Sequence, residues 1–167
     1  MELKPREIAL MGLTVSMIIV FGLIIYSLSL MLPIPGSKFL LLAPFLSFMY
    51  TVPILRIDKR GVIFVLSILF ALMMSFITIL MGIAIASAGT AAEATSLLFR
   101  GLKKRNSAVY SAALMPFYGF ISFLILNQFV LKVEILNQLP TAFLASALVY
   151  ALGIIGGKAA LFINEKI

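Results

Sequence analysis

Charged residues in this chain fall in short clusters separated by long apolar runs. Residues 1–7 carry Glu2, Lys4, Arg6 and Glu7, and residues 8–31 then give 24 positions without a charge. That run is too long for the apolar core of a signal peptide, about 7–15 residues. Leu32-Pro33-Ile34-Pro35-Gly36 reads as a loop. Residues 39–55 are apolar again, with Pro44 and Pro53 inside, and close on the charged turn Arg56-Ile57-Asp58-Lys59-Arg60. Residues 61–99 run for 39 positions with Glu93 as the single charge. At about 1.5 Å per residue this run would measure roughly 58 Å, about twice a hydrocarbon layer of ~30 Å. It must therefore fold into two helices, and the turn is placed near Met81-Gly82. A basic segment, 100–105, leads to apolar residues 107–131, a polar loop at 132–138 and a last apolar run at 140–163. The pattern predicts one all-α domain over 1–167, an integral membrane bundle of six transmembrane helices at about 8–31, 39–55, 61–80, 82–99, 107–131 and 140–163.

Charge supports that count. Alternating spans put Lys4, Arg6, Arg56, Lys59, Arg60, Arg100, Lys103, Lys104, Arg105, Lys158 and Lys166 on one side and only Lys38 and Lys132 on the other. Positive residues favour the cytoplasmic side, so both termini are expected there. Reading 61–99 as a single span would move the 100–105 cluster outside. The net charge of +7 thus reflects orientation and contact with anionic lipid or a cytoplasmic partner, not nucleic acid. The expected location is a bacterial cell membrane, crossed several times.

Composition closes off most chemistry. The chain is 63% hydrophobic and 11% charged, with mean hydropathy +1.19 and no Cys, His or Trp. A soluble domain would be about 45–50% apolar and about 25% charged. Without thiolate or imidazole a metal centre is not expected. One deep carboxylate, Glu93, cannot form an acid–base pair. There is no Walker-type phosphate loop, and Gly153, Gly156 and Gly157 lie in an apolar helix, not after a strand. The chain is expected to be no enzyme and to need no cofactor.

Small residues mark where helices approach one another. The first span carries Ala9 and Gly12-x-x-x-Ser16. The fourth is crowded with Gly, Ala, Ser and Thr from Gly82 to Ser96, which argues for a place in mid-bundle. The sixth carries Ala147-x-x-x-Ala151 and Gly153-x-x-x-Gly157. Internal packing explains most of these, but a first helix at the bundle edge leaves its stripe free to meet another subunit. Glu93 and Arg100, seven residues apart, share nearly one helix face. Glu93 reads as a structural acid paired with Arg100 or a base of the 56–60 turn, with coupling to a partner as the functional alternative. In the outer half, polar groups are few: Tyr26, Ser27, Lys38, Ser87, Tyr118, Ser122, Asn127, Gln128, Glu134, Asn137, Gln138, Thr141, Ser146 and Tyr150. Helix-end capping and interface anchoring account for many of them. Together they also suit a small, mostly apolar ligand pocket.

On these residues the chain resembles the S-components of energy-coupling factor (ECF) vitamin transporters. Arg6-Glu7-Ile8-Ala9-Leu10-Met11-Gly12-Leu13-Thr14-Val15-Ser16 is similar to the family's first helix, whose Ala-x-x-x-Ala motif would fall on Gly12 and Ser16, or on Ala9 and Leu13. Leu32-Pro33-Ile34-Pro35-Gly36 resembles the start of the first outer loop. Gly89-Thr90-Ala91-Ala92-Glu93-Ala94 with Arg100-Gly101-Leu102-Lys103-Lys104 is similar to the end of helix 4 and the basic loop of Treponema/Streptococcus-type S-components. The resemblance spans essentially the whole chain and is mainly architectural.

The resemblance implies a high-affinity substrate-capture subunit. It would bind a vitamin or vitamin precursor from outside at Lys38, Ser87, Tyr118, Asn127, Gln128 and Tyr150. It would dock through Ala9, Gly12 and Ser16 on a transmembrane T-subunit driven by two cytoplasmic ATPases. A small heteroaromatic substrate suits the nearly neutral outer half. Two other readings stay open: a ligand-free structural or assembly subunit, and a self-sufficient ion-coupled transporter using Glu93.

Overall fold

The structure is a computed structural model and describes residues 4–29, 31, 37–99, 101–131, 139–164 and 166. The described residues form six α-helices: α1 (Pro5–Ser29), α2 (Ser37–Ile57), α3 (Val62–Ser75), α4 (Ile79–Ser96), α5 (Lys104–Leu131) and α6 (Leu139–Asn164), with a 3₁₀ turn at Leu97–Phe99. Five of the six are long and apolar enough to cross a membrane; α3, with 14 residues, is not. The all-helical class agrees with the sequence reading, and the five long apolar helices support a membrane protein.

The turn inside the 61–99 run differs from expectation. It lies at residues 76–78, not at Met81-Gly82. Gly82 is used for approach instead: a Cβ there would press on the Ser75 side chain and the Ala71 carbonyl. The second correction concerns α4. The centre of the bundle is held by α2 and α5, while α4 packs between α3 and α5. Its buried face is Gly82, Ala88, Gly89, Ala92 and Ser96, and Ile79, Leu80, Met81, Ile83, Ser87 and Thr90 are exposed.

Glycines let these helices approach closely. Gly89 of α4 faces Ser67 of α3 so tightly that a Cβ would collide with its side chain. Gly156 of α6 lies against the Pro44 backbone of α2, and Gly157 against Val109 and Thr51. At the junction of α2, α3 and α5, fully buried Tyr50 shares a 3.1 Å hydrogen bond with the Ser67 hydroxyl. That hydroxyl also reaches Met115 Sδ at 3.5 Å. In an apolar interior such polar groups need internal partners, and here they have them.

One end of the bundle is laced together by charge. Asp58 follows α2 with φ 48, and Gly61 precedes α3 with φ 83, both left-handed. Asp and Gly tolerate that conformation best. The resulting turn presents Lys59 to Glu7 at 2.6 Å and Asp58 to Lys104 at 2.7 Å. The starts of α1, α3 and α5 and the end of α2 are thereby held at one level.

Candidate functional site

The six residues expected to touch a substrate fall into four groups. Lys38, at the start of α2, donates to the Tyr26 hydroxyl at 3.2 Å, with its ammonium 4.7 Å from the centre of the Tyr26 ring. Ser87 bonds the Ala84 carbonyl at 2.9 Å and shares a 3.1 Å bond with Ser122, joining α4 to α5. Tyr118 and Tyr150 both meet Phe117 edge-on, at 5.2 and 5.8 Å between ring centres. Asn127 donates to the Phe123 carbonyl of its own helix at 2.9 Å, and Gln128 beside it is half-buried. Among the described residues, no hydrogen bond or ring contact joins these groups to one another.

Sequence reasoning missed the aromatic residues that organise this half. Phe117 links the two tyrosines. Phe39, next to Lys38, meets Phe120 edge-on and Phe123 at a tilt, at 5.2 and 4.9 Å between ring centres. In a chain with 14 Phe, single phenylalanines carry little signal. Residues 32–36, Lys132, Glu134, Asn137 and Gln138 lie outside the described residues, as do Arg100 and the side chain of Thr141.

The expected docking residues share one open face. Ala9, Gly12 and Ser16 are all exposed on α1. A Cβ on Gly12 would meet nothing within 4 Å. The Ser16 hydroxyl donates to the Gly12 carbonyl at 2.9 Å, so the face presents no unpaired donor. α1 packs on α2 and more lightly on α3, which places it at the bundle edge.

Glu93 has a described partner other than a basic side chain: its carboxylate accepts the Gly61 backbone N–H at 2.8 Å. A carboxylate at a helix N-terminus also complements the helix dipole. Glu93 thus ties α4 to the start of α3. It lines an open cleft of about 170 Å³ with Asp58, Lys59, Arg60, Ser107 and Ser111. Among the described residues there is no cluster of three or more His, Cys, Asp or Glu for a metal ion.

The fold and these sites define a class: an all-helical bundle suited to a membrane, with a charged end, an aromatic far half and an edge helix bearing an open small-residue face. No protein-family model, curated protein or solved structure matches this chain.

Proposed function

We propose that this chain is the substrate-capture subunit of an ECF-type importer in a bacterial cell membrane. The observation that carries the reading is the exposed Ala9, Gly12 and Ser16 face on an edge helix. Small residues at a lipid-facing surface permit close approach of another helix. Among the described residues that face has no helix against it, while Gly82 and Gly89 of α4 and Gly153 and Gly157 of α6 are consumed internally. The sequence contains no ATP-binding loop, which suits a subunit energised by two separate ATPases through a T-subunit. The chain itself acts as a binder, not an enzyme.

In this reading the bundle spans the membrane and the charged end, with both termini, faces the cytoplasm. The far half captures a small vitamin-like molecule. Its aromatic groups around Phe117 and Phe39 favour a flat heteroaromatic, and Lys38, Ser87, Asn127 and Gln128 supply the few hydrogen-bonding atoms.

The test is co-expression of the tagged chain with an ECF module of T-subunit and two ATPases. Stoichiometric co-purification supports the proposal, and Gly12→Trp is expected to abolish it while the isolated subunit stays folded and keeps its ligand. A folded, monodisperse chain that associates with none of several modules overturns the reading.

A further inference from the structure

The first arm of the α3–α4 hairpin is shorter than its neighbours. α2 and α3 meet at the 58–61 turn, so their lengths can be compared from a shared level. α2 has 21 residues and α3 has 14. At about 1.5 Å per residue these are about 31 and 21 Å, so α3 is about 10 Å the shorter. The Lys38–Tyr26 pair marks the far polar level.

The surface of that turn is apolar except for the exposed Thr78. Phe76 is 89% exposed, Ile77 62% and Ile79 72%, with Leu72 and Met73 exposed just before them. Part of the turn's backbone is satisfied from within. Ile77 and Thr78 N–H both donate to the Met74 carbonyl, at 3.0 and 3.1 Å. Met81 and Gly82 N–H both donate to the Thr78 carbonyl, at 3.0 and 3.2 Å. The Ser75 hydroxyl donates to the Leu72 carbonyl at 2.7 Å. Internal pairing of backbone groups is what a hydrocarbon environment demands of a turn. An apolar groove of about 220 Å³ between α3 and α4, lined by Ala71, Leu72, Ser75, Ile79, Gly82 and Ile83, adjoins the turn.

From these observations we infer that the α3–α4 hairpin is re-entrant: its turn ends inside the hydrocarbon layer, and acyl chains of the far leaflet fill the notch above it and the adjoining groove. The inference rests on the membrane reading of the chain but not on its role in transport.

The chain contains no Trp, so a single introduced Trp reports depth without background. Phe76→Trp and Ile79→Trp alter exposed positions and give two independent reporters of the turn. Met31→Trp, at an 81% exposed position beyond the end of α1, marks the far interface. Val20→Trp, midway along α1 and 57% exposed, marks hydrocarbon. Each variant is reconstituted in phosphatidylcholine vesicles carrying bromines either near the headgroup or midway down the acyl chains. Phe76→Trp and Ile79→Trp are expected to emit at blue-shifted wavelengths like Val20→Trp, to be quenched most by mid-chain bromines and to escape aqueous acrylamide. Acrylamide quenching of both turn reporters at the level of Met31→Trp, with Val20→Trp protected, overturns the inference. Acrylamide access to Val20→Trp as well removes the membrane reading itself and the inference with it.

Discussion

At the scale of single residues, the glycines divide by what a methyl group would meet. Gly89 has Ser67 directly against it, and Gly12 has open space. Gly89→Ala is therefore expected to destabilise the fold by about 1–3 kcal/mol through overpacking. Gly12→Ala is expected to stay within about 0.5 kcal/mol of the parent. Thermal or denaturant midpoints in one detergent compare the two, and equal midpoints would remove the α3–α4 contact from the account. Tyr50→Phe deletes the bond to Ser67 but leaves that hydroxyl with Met115 Sδ. Its cost is expected at about 0.5–1.5 kcal/mol in the same assay, because one partner survives. Composition revealed that small residues would matter here. It did not reveal which glycine faces a neighbour, because apolar residues on every side of a helix leave its rotation open.

At the scale of elements, the 58–61 turn depends on a group far along the chain. Glu93→Ala removes the acceptor for Gly61 N–H, so faster amide hydrogen exchange is expected in the first turn of α3, with α6 unchanged. Glu93→Gln keeps an acceptor oxygen and is expected to retain most of the protection. Equal exchange in all three proteins would show that the contact does not hold α3. The sequence marked Glu93 as a structural acid but not its partner, since a backbone N–H has no signature in hydropathy. The hairpin turn was misplaced for a related reason. Between Gly61 and Phe99 no proline or polar cluster signals a turn, and Gly82 drew the assignment although it serves helix approach. The other helix boundaries were legible because charges or prolines bracket them.

At the scale of the whole molecule, the described bases gather at one end, in Lys4, Arg6, Arg56, Lys59, Arg60 and Lys103 to Arg105, while Lys38 stands at the other. The chain has no Cys, so Leu102→Cys and Met31→Cys can be labelled singly in intact cells. An impermeant maleimide is expected to modify Met31→Cys at once and Leu102→Cys only after permeabilisation; the reverse order would invert the topology. The exposed small-residue stripe of α1 was legible in the sequence because α1 lies at an edge, whereas the aromatic contacts of the far half were not, their phenylalanines being lost among many. The short α3 has a consequence of its own. Four long helices and one shorter hairpin cannot match a single bilayer. A thin membrane suits the hairpin and makes the long helices tilt; a thick one does the opposite, each at fractions of a kcal/mol per ångström. With a re-entrant hairpin, hydrophobic mismatch is divided between elements of opposite sign, and the membrane is expected to deform on one flank of the bundle.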